Sequence, residues 1–256
     1  MVFAQISDLH LTADENLFDG AGPDTHAVAC VSALNRLNPR PDFVIITGDI
    51  AESADAAVYQ RTRQILGDLQ VPYFVIPGNH DDRHLLYQTF RDSACPAGNA
   101  SADPYLQYTF SHGGFRFVGL DTLEVNSAHG FLCQTRLSWL EAVLRENSVT
   151  PRILFLHHPP VATGHPVVDE SRLQNGADLG RLLGRFPAET HLLCGHVHRS
   201  VSTIWNGAAV HICPSVYHQF SFDRWLDAEL KLVPEPPAFR VYLQVDGTLV
   251  SHVVYV

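Results

Sequence analysis

Cysteine is scarce and follows no pairing pattern. The five cysteines, Cys30, Cys95, Cys133, Cys194 and Cys213, are odd in number and include no CxxC pair. That argues against a disulfide framework and against a structural zinc cage built from thiolates. Cys30 falls in a helical pattern, and Cys194 and Cys213 fall in apolar runs, so buried free thiols are expected. No apolar run approaches the roughly 20 residues that span a bilayer. The first residues enter a strand directly, with no basic segment or signal-peptide core, so a cytoplasmic protein without a membrane partner is expected. Basic charge is also short. The net charge is −10 with histidine neutral, and only 17% of residues are charged. A nucleic-acid polymer calls for a basic face, which this balance does not supply. Internal repeats, low-complexity tracts and long linkers are missing, and one domain over residues 1–256 is the expectation.

What the chain has is a hydrophobic content of 46%, enough for a sizeable core, and 15 histidines. Short apolar runs read as buried strands: Val2–Ile6, Phe43–Thr47, Tyr73–Ile76, Ile153–Leu156, His191–Cys194 and Ala209–Cys213. Between them, Val28, Val31, Leu34 and Leu37 recur at helical spacing over Thr25–Asn38, with Pro39 beyond. A second helix is capped by Ser53 or Asp55 and reaches about Leu69, and a short one runs from Asp82 to Phe90. Strand, helix, strand, helix, strand implies parallel strands with helical crossovers. Tyr105–Ser111 and Phe115–Leu120 then read as a hairpin turned at His112-Gly113-Gly114. Helices follow from Thr135 and around Leu179, Leu182, Leu183 and Phe186, with Val161–Asn175 as a loop between them. Residues 214–237 are irregular and aromatic, a segment for shaping substrate or for an oligomer contact. A long hairpin turned at Asp246-Gly247 ends the chain. Central strands buried on both sides, together with the late hairpins, predict an α/β fold in four layers, α/β/β/α, with two mixed sheets flanked by helices.

Polar chemistry gathers where the strands end. Asp8 and His10 follow the first, Asp49 the second, and Gly78-Asn79-His80-Asp81 the third. His157 and His158, then His196 and His198, follow two later strands. Open α/β sheets hold ligands at the carboxyl ends of their strands. Asp8 and His10, like His196 and His198, are two residues apart and on an extended chain would point the same way. Imidazole, carboxylate and amide oxygen together suit zinc, manganese or iron. Two such cations can activate water and clamp both oxygens of a phosphoryl transfer. Singly, Asp8 or Asp49 is as readily a turn cap, and His165, His191, His211 and His252 read as surface or core residues.

In order and context, Asp8-Leu9-His10, Gly48-Asp49, Gly78-Asn79-His80-Asp81, His157-His158 and Gly195-His196-Val197-His198 resemble the motifs of the calcineurin-like metallophosphoesterases. They run from residue 8 to residue 198, and single motifs such as DxH would mean little alone. His157-His158-Pro159-Pro160, Asn175-Gly176 and Tyr217-His218-Gln219 look like the bacterial class III cyclic-nucleotide phosphodiesterases and related glycerophosphodiesterases. The resemblance implies a metallophosphoesterase sandwich and two divalent cations, manganese, iron or zinc. Asp8, His10, Asp49 and His198 would hold one, and Asp49, Asn79, His157 and His196 the other, with Asp49 bridging. A hydroxide between them would attack phosphorus in line. Asn79, His80 and His198 would meet the substrate, and His80 would stabilise or protonate the leaving oxygen. Asp81 is expected to orient His80 or its loop, and His158 to stand behind the ligands. The implied substrate is a small phosphodiester, first a 3′,5′-cyclic nucleotide such as cAMP and then a glycerophosphodiester. A phosphomonoesterase is a variant of the same chemistry, and a non-catalytic metal-binding scaffold belongs to another class. The HxHxDH run of a metallo-β-lactamase does not occur. A homo-oligomer is compatible with the aromatic late segment.

Overall fold

Strand β6 (Arg152–Leu156) shows how the layers arise. Ile153 and Phe155 join one hydrophobic cluster, and Leu154 and Leu156 join another. With a side-chain period of two, this strand is buried on both faces, and a sheet of such strands must be covered twice. The computed structural model describes residues 1–13, 22–92, 105–146, 148–223, 226 and 230–256. Cys95, Phe18 and Trp225 lie outside them.

Within the described residues the elements run β1 (Val2–Ile6), α1 (Pro23–Arg36), β2 (Phe43–Thr47), α2 (Ala56–Leu66), β3 (Tyr73–Ile76) and α3 (Arg83–Phe90). Then come β4 (Tyr108–His112), β5 (Phe115–Leu120), α4 (Gln134–Glu146), β6, α5 (Pro166–Glu170), α6 (Gly176–Gly184) and β7 (Thr190–Cys194). The chain finishes with β8 (Val201–Trp205), β9 (Ala208–Ile212), β10 (Gln219–Phe220), β11 (Leu232–Val233), β12 (Ala238–Val245) and β13 (Thr248–Tyr255). One sheet has the order β13-β12-β1-β2-β3 and the other β4-β5-β6-β7-β9-β8. Parallel pairing holds for β1-β2-β3 and for β5-β6-β7-β9, while β12, β13, β4 and β8 are antiparallel additions.

The two sheets face each other. Phe3 and Phe43 meet the edge of Phe117 at ring-centroid distances of 5.3 and 5.2 Å. Cys30, Val31 and Leu34 of α1 and Val58 and Tyr59 of α2 extend this cluster over the outer face of the first sheet. Leu140 and Leu144 of α4 and Leu179 and Leu182 of α6 cover the second sheet. This is the expected arrangement of two mixed sheets flanked by helices. Both sheets present the carboxyl ends of their parallel strands at one edge, tied together by Gln5 Nε2 donating to the Cys194 carbonyl at 2.9 Å.

Local details depart from the sequence reading. Asp55 is the cap of α2, accepting from Ala57 and Val58 N–H groups, and that helix stops at Leu66 rather than Leu69. The expected loop at 161–175 contains α5, with Pro166 in its first turn and His165 accepting the Val168 N–H. Strand β8 was not expected. It reaches β9 through Asn206-Gly207, whose φ values of +48° and +80° suit a tight hairpin. Residues 214–237 are not wholly irregular, because β10 and β11 pair there. Cys30, Cys194 and Cys213 are buried free thiols, as expected, and Cys133 is half-buried and free.

Candidate metal centre

The site is built on backbone bends rather than on extended strand ends. Asp8, His10, Asp49, His196 and His198 have φ of +55°, +49°, +48°, +71° and +51°. Side chains other than glycine rarely occupy this left-handed region, and they persist there only where surrounding contacts over-determine them. Here the contacts are tertiary. The Asp8 N–H donates to the Gly48 carbonyl at 3.1 Å, the His10 N–H to the Asp49 carbonyl at 3.0 Å, and the Gly195 N–H to the His157 carbonyl at 3.0 Å. The expectation that His196 and His198 point the same way on an extended chain is therefore corrected. His198 joins Asp8, His10 and Asp49, with one ligand atom from each within 4.8 Å of the others. His196 joins His157 and His158 instead.

Three imidazoles are locked by outward hydrogen bonds. His157 Nδ1 lies 2.7 Å from the Thr47 carbonyl, His198 Nδ1 3.1 Å from the His218 carbonyl, and His10 Nδ1 2.6 Å from Glu52 Oε2. A carbonyl or carboxylate can only accept, so each Nδ1 carries the proton and each Nε2 is turned inward. The inward atoms meet other acceptors. His10 Nε2 and His198 Nε2 are 3.1 Å apart. His157 Nε2 is 3.1 Å from Asn79 Oδ1 and 3.2 Å from Asp49 Oδ2. Asp49 Oδ2 is also 3.7 Å from His10 Nε2, which puts this carboxylate between the two sets. Lone pairs converging at such distances require a cation, either a proton or a metal, and the nitrogen and oxygen donors fit a borderline divalent ion.

Burial tunes the same groups. Asp8 is fully buried, which raises its carboxyl to about 6. Burial also opposes ionisation of Asp49, but the charge of His157 and its hydrogen bond outweigh it and hold Asp49 well below the usual carboxylate range. For His157, burial is overcome by Asp49, and the ring rises to about 9. Burial, reinforced by His157, depresses His196 to about 3, and burial with His10 keeps His198 neutral. Neutral imidazole is the form that binds metals.

The remaining expected residues frame these donors. His80 lines the cavity, donating its backbone N–H to Asp49 Oδ1 at 3.0 Å and its Nδ1 proton to the Glu52 carbonyl at 2.8 Å. Asp81 is buried and accepts from Gly78 N at 2.8 Å, from Ile50 and Ala51 N at 3.2 Å, and from the Tyr59 hydroxyl at 3.0 Å. It thus clamps the turn after β2 to the turn after β3. Gly78 is needed there, because a Cβ would stand 2.1 Å from Asp49 Oδ1. His158 donates Nε2–H to the Ala128 carbonyl at 3.2 Å and accepts the Thr122 hydroxyl on Nδ1 at 2.8 Å, which leaves it no free lone pair. Asp121 binds Arg83 at 2.7 Å and is wholly buried.

Sequence reasoning missed several supporting groups. Glu52 touches His10, Ser171 Oγ lies 2.8 Å from His196 Nε2, and Ser215 donates to the Asp8 carbonyl at 2.7 Å. No spacing marks Ser171 or Ser215. Glu52 lies three residues after Asp49, in a stretch read only for helix caps. The donors open into a cavity of about 480 Å³ whose lining includes the apolar side chains of Ala128, Val168, Phe220, Leu230 and Leu232.

A family model described as calcineurin-like phosphoesterase matches residues 1–200. The glycerophosphodiester phosphodiesterase of Enterobacter lignolyticus is 32% identical over 254 residues, which cover 98% of this chain and 90% of that protein. The 3′,5′-cyclic adenosine monophosphate phosphodiesterase of Escherichia coli is 30% identical over 251 residues, 97% of this chain and 87% of that protein. Among solved structures, a dimetal phosphatase from Danio rerio has the same fold, with a TM-score of 0.74 at 18% identity over 98% of this chain and 95% of that one.

Proposed function

The chain belongs to the calcineurin-like phosphoesterase family, and on that premise we propose that its cavity hydrolyses a small phosphodiester, a 3′,5′-cyclic nucleotide before a glycerophosphodiester. The supporting observation is the pair of acceptor clusters, each with imidazole protons directed outward and lone pairs inward. In this reading Asp8, His10, Asp49 and His198 hold one divalent ion, and Asp49, Asn79, His157 and His196 hold the second. Manganese, iron and zinc all suit the donors. When bound, the two ions supply Lewis acidity, acidifying water and offsetting charge on the phosphoryl oxygens.

The chain's own groups do the rest. Asp49 reaches both donor sets, so it fixes their separation. His80 donates its Nδ1–H to the Glu52 carbonyl, so in its imidazolium form it presents a second N–H at Nε2 that contacts the phosphate and passes its proton to the leaving oxygen, the ring ending as neutral imidazole. Asp81 holds the two turns that carry Asp49 and Asn79, and His158 stands behind His157 and His196. Residues 214–237 shape the substrate end of the cavity through Phe220, Leu230 and Leu232. That apolar wall favours a flat nucleobase over the polar glycerol of a glycerophosphodiester. Buried free thiols accord with a reducing, cytoplasmic setting. No helix among the described residues is long and apolar enough to cross a membrane.

The test is a substrate panel on protein stripped of metal and reconstituted with manganese. It compares 3′,5′-cyclic AMP, 2′,3′-cyclic AMP, a glycerophosphodiester, an aryl phosphodiester and its monoester. Preference for 3′,5′-cyclic AMP is the expected result. Monoester preference would move the protein to the phosphatases of the fold, and two bound metals without turnover would make it a scaffold.

A further inference from the structure

The Ser171 hydroxyl joins the end of α5 to the turn after β7. Its Oγ lies 2.8 Å from His196 Nε2 and 3.0 Å from the Val168 carbonyl. The segment around it fixes its place. The Ser171 N–H donates to the Val168 carbonyl at 3.1 Å, and the Asp169 carboxylate accepts from the Thr163 and Gly164 N–H groups at 2.6 and 2.9 Å. The Leu173 N–H donates to the Pro159 carbonyl at 3.0 Å. Pro159 follows His157 and His158 directly, so this segment is strapped to the turn that carries His157. Ser171 and His196 both line the cavity that the donors share.

A serine has one hydroxyl proton, and a neutral imidazole has one N–H. The Val168 carbonyl can only accept. With the hydroxyl proton directed there, an Oγ lone pair is left for Nε2, and His196 carries its proton on that nitrogen. Its own lone pair is then on Nδ1, available to a cation shared with Asp49, Asn79 and His157. The reverse arrangement, with Ser171 donating to Nε2, puts the proton on Nδ1 and leaves His196 no lone pair for a metal. The direction of one hydroxyl therefore decides whether this ring can be a ligand. His196 differs in this from His10, His157 and His198, which hold their protons on Nδ1. We infer that Ser171 is a positioning residue for the second divalent ion: its hydroxyl, held by the Val168 carbonyl, accepts from His196 Nε2 and reserves the Nδ1 lone pair for the metal. The inference rests on the reading of His196 as a ligand proposed above. A partner on the second ring nitrogen orients a ligating imidazole and raises its basicity.

The experiment reads the tautomer and the metal affinity rather than turnover. Long-range proton–nitrogen correlation spectra of the zinc-loaded protein show which ring nitrogen of His196 is protonated. Nε2–H is the expected result, and Nδ1–H overturns the inference. Calorimetric titration with manganese then compares wild type, Ser171→Ala and Ser171→Thr. Ser171→Ala is expected to weaken the second ion about 10-fold and to leave the first unchanged. Ser171→Thr keeps the hydroxyl and is expected to keep the wild-type affinity. The melting temperature of each metal-free protein reports the packing of α5 separately. Unchanged affinity in Ser171→Ala overturns the inference. Equal weakening in the Ala and Thr variants overturns it as well, because it would report packing rather than the hydroxyl. If tautomer and affinities are as expected but no diester is hydrolysed, the role of Ser171 stands and the hydrolase reading falls. If diesters are hydrolysed and the affinity of Ser171→Ala does not move, the reverse holds.

Discussion

His10 and His198 face each other through Nε2 atoms 3.1 Å apart, and each ring has given its Nδ1 proton to an outer acceptor. Neither nitrogen can donate to the other without a proton that its neighbours have already drawn to the far side. The pair is thus built around a positive charge. Replacing one member as His198→Ala is expected to lower bound metal from about two ions per chain to about one and turnover by more than about 100-fold. Emission spectroscopy of the purified variant gives the metal count. An unchanged count would remove His198 from the ligand set.

Asn79 tests the other cluster. Its Oδ1 meets His157 Nε2 at 3.1 Å. Asn79→Ala deletes an oxygen donor while leaving His157 fixed by the Thr47 carbonyl. Metal affinity at that cluster is expected to fall about 10- to 100-fold, with turnover falling alongside. Titration with manganese reads the affinity, and a variant equal to wild type in both would sink the assignment.

His80 lies outside the two donor sets above, in a third group of possible ligands with His10 and Glu52. In His80→Ala both metals are expected to remain, while hydrolysis slows by about 10²- to 10⁴-fold. The slowing is greatest for diesters whose leaving groups have high pKa. A series of aryl diesters checks this, and a loss that ignores leaving-group pKa would count against proton transfer by His80.

Asp81 supports the site from behind. Removing its carboxylate leaves three backbone N–H groups and a tyrosine hydroxyl without their acceptor in a buried turn. Asp81→Ala is expected to cost about 3 kcal/mol and to lower the melting temperature of the metal-free protein by about 6–12 °C. Differential scanning calorimetry measures it. An unshifted transition would mean that this network adds nothing to stability.

His211, on β9, gives a pH dependence separate from the metal ligands. Burial, with the neighbouring Arg240 and His191, depresses its pKa to about 4. Its surroundings are the Ser202 hydroxyl at 3.4 Å and the rings of His191 and Tyr242 at 6.1 and 5.8 Å. The folded protein binds this proton less readily than the unfolded chain. The stabilisation is therefore full above about pH 6.5 and is lost as pH falls toward 4. His211→Asn is expected to flatten the fall in melting temperature between pH 7.5 and pH 5, and parallel curves for the two proteins would exclude the effect.

The parallel strands were legible because two-sided burial writes itself as continuous, largely apolar runs such as Phe43–Thr47 and Ile153–Leu156, each buried throughout. Strand β8 was not, because Val201–Trp205 lies at a sheet edge and is mostly exposed, so no buried run marks it. Asn206-Gly207 was the available signal. Five-residue α5 is too short for a helical period to show. At the site, the family resemblance supplied both the donor types and their grouping into Asp8, His10, Asp49 and His198 against His157 and His196, whereas spacing on an extended chain would have kept His196 and His198 together. The left-handed bends at His196 and His198 arise from contacts with distant turns, and no local periodicity encodes them. Glu52 belongs to the same class, since its role exists only where β2 and β1 lie side by side.

Strand β1 is bordered on one side by β2 and on the other by β12, which pairs Phe3 with Tyr242 and Gln5 with Arg240. Just beyond it, the Ser7 carbonyl accepts the Val216 N–H at 3.0 Å, and the Asp8 carbonyl accepts the Ser215 hydroxyl. During synthesis β1 waits for a segment more than 200 residues later. A growing chain can lay down β1-β2-β3 with their helices early, yet the bend that aims Asp8 stays unbraced until Ser215 and Val216 have been made, and a nascent chain stalled before residue 215 would leave that carboxylate without its brace.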